Sequence, residues 1–292
     1  MENFKYTFDR SGKKYRCPQC NKKTLVRYID TLTRGVLSDA SGVCDRESKC
    51  GYFMKPNGNA VVNNIMPLEA IKKTSYHTIK DVENTAIDFK NNNFIQYLKH
   101  QFGDRKTGEA IREYYIGTSN DFNGSTVFWQ IDLDTKVRHG KIMKYNADTG
   151  KRLKNSEGNA YISSMRHSLG LKDFNLNQTL FGMHLASMTP NSVDICIVES
   201  EKTAIVMSIV DPTRIWMACG SLNGVKYDYF KGLENRSITL FPDKGCINKW
   251  SFKAYQLNDK GFDITVDDSL EHTNLEDGDD IADLYLMKKI AS

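Results

Sequence analysis

The stretch Ile195-Cys-Ile-Val-Glu-Ser-Glu-Lys-Thr-Ala204 decides the fold class of this chain. Four largely apolar residues lead directly into the acid Glu199, and a helix-forming segment over 201–210 follows. This order predicts a strand buried on both faces, as in parallel sheets, with its polar residue at the carboxyl end. Ligands of open α/β sheets bind at that end of the strands. Glu199 is therefore the first candidate site residue, and capping of the following helix is its alternative role.

A second strand, Ser237-Ile-Thr-Leu-Phe-Pro-Asp243, repeats the pattern and ends on another carboxylate. Two acids at neighbouring strand ends suit a hard divalent cation such as Mg²⁺. Further elements are predicted as a strand over 214–219, a helix over 248–258, a strand over 262–267 and a helix over 279–290. Their alternation predicts a mostly parallel α/β sheet in a domain of residues 191–292. Cys196 and Cys219 are expected in its core.

Residues 1–60 have the spacing of a zinc ribbon. Cys17-Pro-Gln-Cys20 is one knuckle, Cys44 and Cys50 form the other, and a strand over 24–30 lies between them. Four thiolates around one structural Zn²⁺ are the simplest ligand set, and the metal would supply much of the stability of so small a unit. The second pair is more widely spaced than the first, so Asp45 and Glu47 remain alternative ligands.

Two regions separate the ribbon from the α/β domain. Residues 61–90 are expected to form a linker, and residues 91–190 a mixed α+β unit. The second region is predicted to contain helices over 93–102 and 107–114 separated at Gly103, strands over 126–132 and 141–145 joined by a turn at 134–140, and a short helix over 176–185. The whole chain is thus expected to be a multi-domain α+β protein with an α/β domain at its end.

The composition is that of an ordinary globular protein: 292 residues, 40% hydrophobic and 26% charged, with a net charge of +4. No apolar run has membrane-spanning length and the first residues lack the apolar stretch of a signal peptide, so a cytoplasmic protein without a membrane partner is expected. Basic residues concentrate in the first sixty positions and over 136–154, whereas 259–283 is acidic. Such asymmetry predicts one surface for a polyanion and another for metal ions.

These motifs, in this order, resemble the bacterial-type (DnaG-like) primases, and in particular the shortened primase-like proteins of plasmids, phages and conjugative elements. The resemblance covers nearly the whole chain: a zinc ribbon, the basic N-terminal half of a primase core, and a TOPRIM domain. The matching stretches are Tyr115-Ile-Gly-Thr-Ser119, Glu199, Gly220-Ser-Leu-Asn-Gly224, Asp243 and Gly278-Asp279-Asp280-Ile-Ala-Asp283.

The resemblance implies a role for each candidate residue. Glu199 would act as general base or place the attacking hydroxyl, and Asp243, with Asp279 or Asp280, would hold a catalytic Mg²⁺ or Mn²⁺. The cations expected on template or nucleotide phosphates are Lys141, Lys144, Lys151, Arg152, Lys154 and Lys202. The aromatic residues considered for base stacking are Trp129, Tyr145 and Tyr161, with core packing as the alternative for Trp129. Implied partners are single-stranded DNA template, ribonucleoside triphosphates, and a replicative helicase or relaxase of the same element.

One departure from the family pattern leaves the function open. A second aspartate is expected at position 245, but the chain reads Asp243-Lys244-Gly245. Three functions therefore remain: a primase that makes RNA primers, a catalytically degenerate nucleic-acid-binding accessory of replication or transfer, and a TOPRIM nuclease. From the sequence, Gly245→Asp is expected to strengthen metal binding.

Overall fold

The computed structural model describes residues 5–46, 50–56 and 73–291, and the chain divides into unit 1, Met1–Lys73, and unit 2, Thr74–Ser292. The described part of the chain contains two antiparallel sheets and one parallel sheet, together with helices. This confirms the predicted mixed α+β architecture. None of the described helices combines the length and the apolar character needed to cross a membrane.

Unit 1 is built on one antiparallel sheet. Its strands are β1 (Tyr6–Phe8), β2 (Tyr15–Arg16), β3 (Lys23–Asp30), β4 (Gly42–Cys44) and β5 (Phe53–Met54). The order is β1-β3-β4-β5, and β2 also pairs with β3. The small core contains Leu25 together with Cys17 and Cys44, against which Cys20 and Cys50 pack. The candidate zinc ligands are therefore part of the core of this unit.

The first half of unit 2 packs helices against an antiparallel sheet of order β6-β7-β8-β9. The elements are α1 (Ile79–Thr85), α2 (Asn93–Glu113), β6 (Gly117–Ser119), β7 (Ser125–Ile131), β8 (Val137–Met143), β9 (Ile162–Ser164) and α3 (Met165–Ser168). β7 is buried along its whole length, because Trp129 packs on the α1 and α3 side while Phe128 joins the main core. Gly103 interrupts α2 with φ 79°, where the sequence predicted the break.

The second half of unit 2 holds the parallel sheet, of order β11-β10-β12-β13. The elements are α4 (Leu185–Met188), β10 (Ile195–Val198), α5 (Glu201–Val210), β11 (Ile215–Ala218), α6 (Tyr227–Phe230), β12 (Ser237–Leu240), α7 (Ile247–Asn258), β13 (Asp263–Val266), a 3-10 helix (Ser269–His272) and α8 (Ile281–Ala291). β10 and β11 are fully buried, as their apolar sequences predicted, and Cys196 and Cys219 lie in the core.

The two halves of unit 2 share one continuous core. The Tyr114 hydroxyl, at the end of α2, donates a 2.8 Å hydrogen bond to the carbonyl of Trp216 in β11. Phe181 forms an antiparallel bridge with Ala218, at the outer edge of the same strand. The domain boundary predicted at 190/191 thus falls inside unit 2.

Three predicted local features differ from the structure. The expected linker over 61–90 includes α1, because the Thr78 and Asp81 side chains form a capping box at its start; residues 57–72 of that linker lie outside the described residues. The helix predicted over 176–185 was wrong, since α4 begins only at Leu185. The turn predicted at 134–140 is shorter, because β8 already begins at Val137.

Candidate functional site

Four cysteines form a candidate metal centre in unit 1. The Sγ atoms of Cys17, Cys20, Cys44 and Cys50 all lie within 4.8 Å of one another. The Cys17–Cys50 and Cys20–Cys44 sulfur pairs are 3.7 and 3.9 Å apart. A tetrahedron with Zn–S bonds of about 2.3 Å has edges of about 3.8 Å, so the set fits Zn²⁺. The predicted set of four cysteines is therefore brought together by the fold.

Neighbouring groups support this assignment. Asp45, an alternative ligand on sequence grounds, lies 2.6 Å from the ammonium of Lys14, whereas Glu47 lies outside the described residues. The Thr24 hydroxyl is 3.2 Å from the Cys44 sulfur, and the Gln19 side chain donates to the carbonyl of Cys50. Such outer contacts orient ligating groups and tune the metal they hold.

A second candidate site lies at the carboxyl ends of β10 and β12. These strands are parallel neighbours, and the Phe241 N–H continues their pairing with a 2.8 Å bond to the carbonyl of Ile197. Glu199 and Asp243 each follow shortly after this paired region. The fold therefore brings the two predicted carboxylates to one edge of the sheet.

The electrostatics of Asp243 show that several carboxylates converge there. The pKa of Asp243 is raised to about 7: burial contributes most, Glu199, Asp280 and Asp283 add to the rise, and Arg152 opposes it. No hydrogen bond to the Asp243 carboxylate is found within the described ranges. A cation near such a carboxylate would offset its repulsion with the neighbouring acids.

Glu199 shares this environment. Burial raises its pKa, Arg152 and Lys141 lower it, and Glu201 raises it. The acids are nevertheless more widely spread than the cysteines: among the residues that the structure describes, only the cysteine group brings three ligand atoms within 4.8 Å of one another. Mg²⁺ commonly uses one or two carboxylates and keeps several waters or substrate oxygens, so the donor set fits that ion.

Of the two late acids considered as ligands, Asp280 is the one that reaches the site. Its Oδ1 caps α8 by accepting the N–H groups of Ala282 and Asp283, at 2.9 and 3.1 Å, and its other oxygen accepts from the Thr203 hydroxyl. Asp279 instead accepts the N–H of Glu276 at 2.9 Å within its own loop. Asp280 thus adds charge at the site while also serving as a helix cap.

The predicted phosphate-binding cations fall into two groups. Lys141 forms a partly buried ion pair with Glu201, its Nζ lying 3.0 and 2.8 Å from the two carboxylate oxygens, and Lys202 lies 3.9 and 3.8 Å from Asp280 and Asp283. Carboxylates of the protein thus lie against both lysines, which sequence reasoning placed on phosphates of template or nucleotide. The remaining predicted cations are on or near the surface: Lys144, Lys151, Arg152 and Lys154.

The aromatic candidates separate in the same way. Trp129 and Tyr145 are 0% and 1% exposed, so they pack in the core and are inaccessible to a base. Tyr161 is half-buried, stands 5.3 Å from the ring of Phe122, and has the Lys144 ammonium 5.7 Å from its centroid. Of the three, only Tyr161 is partly exposed.

The departure at position 245 has a backbone cause. Asp243 to Cys246 form a turn closed by a 3.0 Å bond from the Cys246 N–H to the Asp243 carbonyl, and Gly245 has φ 82°. Glycine adopts this left-handed conformation without strain, whereas an aspartate does not. Two functional features escaped sequence reasoning: the Lys141–Glu201 pair and the contacts of Lys244. Asp283 was noted as part of the late acidic motif, without a role of its own, and it has the spacing of a capping box from Asp280.

Metal affinity is expected to depend on pH through Asp243. A divalent cation competes with the proton on a carboxylate whose pKa is about 7. Affinity for Mn²⁺ should therefore rise from about pH 5 to pH 7, by up to about tenfold per unit, and level off above that range. Calorimetric titration over this range tests the expectation, and Asp243→Asn should flatten the profile. An equally steep profile in that variant would show that a group other than Asp243 releases the proton on metal binding.

Gly245→Asp is expected to weaken the turn rather than to restore a ligand, which revises the expectation from sequence. A Cβ at this position would lie 3.3 Å from the Asp277 carboxylate, and φ is 82°. Strain of about 1–3 kcal/mol should lower the melting temperature, with no gain in Mn²⁺ affinity. Gly245→Asn is the matched control, because it places a side chain of the same size at the same φ without the charge. Tighter Mn²⁺ binding by the aspartate variant alone would refute this expectation.

Comparison with known proteins gives two family matches. Residues 92–244 match the family described as "Domain of unknown function (DUF6371)", and residues 4–65 match a zinc β-ribbon finger family. No curated protein matches the chain.

Among solved structures, the chain is similar to the RNA polymerase domain of Mycobacterium tuberculosis primase DnaG, with 13% identity over 71% of this chain and 77% of that one, at a TM-score of 0.48. It is similar to the primase fragment of the bacteriophage T7 primase-helicase protein, with 12% identity over 97% and 100%, at 0.42. It is also similar to the zinc-binding and RNA polymerase domains of Aquifex aeolicus primase, with 9% identity over 97% and 77%, at 0.40.

Proposed function

The chain belongs to the DUF6371 family, a family of unknown function, and we propose that it synthesises short RNA primers on single-stranded DNA by metal-dependent nucleotidyl transfer. The observation that carries this proposal is the convergence of Glu199 and Asp243 at one sheet edge, where Arg152 lowers the pKa of both. In this proposal residues 191–292 form a TOPRIM domain, and residues 91–190 form the basic half of a primase core.

Each residue has a chemical task in this reaction. Glu199, with its raised pKa, accepts the proton of a ribonucleotide 3′-hydroxyl or orients that hydroxyl. Asp243 would hold Mg²⁺ or Mn²⁺, and Asp280 strengthens the negative field around it. Such an ion would supply positive charge against the triphosphate. Arg152 is exposed yet acts on both acids, so it can meet a phosphate on the open side of the site.

Each unit is proposed to contribute to template binding. Lys144, Lys151 and Lys154 give a sequence-independent attraction for phosphates, and Tyr161 stacks on a base. The zinc ribbon would bind single-stranded template and contribute to the choice of start site. A helicase or relaxase of the same plasmid, phage or conjugative element is the proposed protein partner.

A non-catalytic nucleic-acid-binding accessory is the second candidate function. Two observations favour it: Gly245 supplies no carboxylate, and Asp280 is already used as the cap of α8. In that case the zinc ribbon and the basic residues Lys144, Lys151 and Lys154 would still bind DNA, while the acidic site would no longer support nucleotidyl transfer.

One assay separates these functions. The full chain is incubated with end-labelled single-stranded template, ribonucleoside triphosphates, and Mg²⁺ or Mn²⁺, alongside Glu199→Gln. Short RNA products from the wild type alone support the primase proposal. DNA binding without product, unchanged by Glu199→Gln, supports the accessory function, and shortened template would indicate a nuclease.

A further inference from the structure

Lys244 and Gly245 tie the end of β12 to the acidic segment that precedes α8. The Lys244 ammonium donates to the carbonyls of Thr273 and Leu275, at 2.7 and 2.6 Å. The Lys244 N–H bonds the carbonyl of Asp279 at 2.9 Å, and the Gly278 N–H bonds the carbonyl of Lys244 at 3.0 Å. The Gly245 N–H adds a 2.9 Å bond to the Glu271 carboxylate.

The charge of Lys244 is directed at this segment. Its ammonium is held by two backbone carbonyls, and Arg152 is a cation that lowers the pKa of Asp243. A lysine next to Asp243 therefore need not compete with a divalent ion. Hydrogen bonds from a charged donor are stronger than those between neutral groups, so the two carbonyl contacts hold the segment firmly.

The segment held in this way ends at the acids that act on Asp243. Asp280 follows directly after Asp279, whose carbonyl accepts from Lys244, and Asp283 lies one turn further, at the start of α8. The carboxylate of Asp280 also accepts a hydrogen bond from the Thr203 hydroxyl. Lys244 thus anchors the chain just before Asp280, and Thr203 anchors the carboxylate of Asp280 itself.

We propose that Lys244 is a positioning residue for the acidic metal site: by bonding the carbonyls of Thr273 and Leu275, it holds Asp280 and Asp283 close to Asp243. The proposal rests on the metal-dependent function proposed above. Loss of an outer contact that orients metal-binding groups typically lowers metal affinity by about 10–100-fold. Lys244 would act in this way although it touches neither metal nor substrate.

Mn²⁺ titration of the full chain, followed by the loss of the free-ion signal in electron paramagnetic resonance, tests this role. Lys244→Met, which keeps the length but removes the donors, should bind Mn²⁺ at least about tenfold more weakly than the wild type. Lys244→Arg, which retains donors, should recover part of the affinity. Lys260→Met is the matched control, because Lys260 is exposed beyond α7, and it should bind as the wild type does.

Hydrogen exchange gives a readout that needs no variant. In the wild type, Mn²⁺ should slow exchange of the Gly245 and Gly278 amides, because metal binding and the anchored segment stabilise each other. If Lys244→Met folds and binds Mn²⁺ as tightly as the wild type, the positioning role is overturned. If Mn²⁺ leaves both amides unchanged in the wild type, the role is overturned even where Lys244→Met fails to fold.

Primer synthesis is measured separately, so the two proposals can fail separately. If the wild type binds Mn²⁺ through Asp243 but makes no primers, the proposed function is refuted. The role of Lys244 is then still decided by the Mn²⁺ titration. A wild type without Asp243-dependent Mn²⁺ binding overturns both.

Discussion

Asp243→Asn is expected to lower the rate of primer synthesis by about 10³-fold, equivalent to about 4 kcal/mol of transition-state stabilisation. The amide keeps the shape of the side chain but removes the negative charge that is proposed to hold the divalent ion. Single-turnover primer extension at saturating Mg²⁺ measures the effect. Asp279→Asn is the matched control, since Asp279 accepts a bond from Glu276 in its own loop, and it should retain most activity.

When both proteins are free of metal, Asp243→Asn should have a higher free energy of unfolding than the wild type. Because the pKa of Asp243 is raised in the folded protein, its contribution favours folding below its ordinary pKa and is lost as the pH rises through about 7. Asparagine does not ionise, so the melting temperature of Asp243→Asn should exceed that of the wild type at pH 8. The difference should disappear in acid. A variant that is both inactive and less stable at pH 8 would point to general damage.

Removing zinc is expected to unfold unit 1 while unit 2 keeps its structure. Four thiolate ligands make up much of the core of unit 1, and zinc binding contributes roughly 10–16 kcal/mol in small zinc-finger peptides. Cys44→Ala should therefore lose the metal and the NMR dispersion of residues 5–46 and 50–56. Metal analysis of the purified protein measures the first effect, and a wild type purified without chelator should contain one zinc ion.

Cys246→Ala is the control for this change. Cys246 is a half-buried cysteine of unit 2, outside the four-cysteine cluster, so its replacement should leave the zinc content unchanged. Zinc retained at full content by Cys44→Ala, with unit 1 still folded, would contradict the four-cysteine site.

Local signals in the sequence predicted much of unit 2. Helix α5 was predicted with the bounds it has, because Ser200 caps it by accepting the Thr203 N–H and apolar residues continue to Val210. The break at Gly103 follows from the conformational freedom of glycine. The convergence of Glu199 and Asp243 followed from the rule that neighbouring parallel strands end at the same edge.

Contacts between distant residues could not be predicted in this way. Nothing near Lys141 in the sequence indicates that its partner is Glu201, sixty positions away. Lys244 similarly bonds carbonyls that are 29 and 31 positions further along the chain. Helix α1 was missed because its apolar stripe is short, so the capping box at Thr78 was its only clear local signal.

The backbone bridge between Phe181 and Ala218 bears on how the protein can be shortened. A fragment of residues 191–292 would contain every acid of the site, yet β11 would lose the segment that pairs along its outer edge. An uncovered apolar strand pairs readily with other chains and promotes aggregation. A well-behaved minimal fragment should therefore begin upstream of residue 180, so that the protecting segment travels with the sheet.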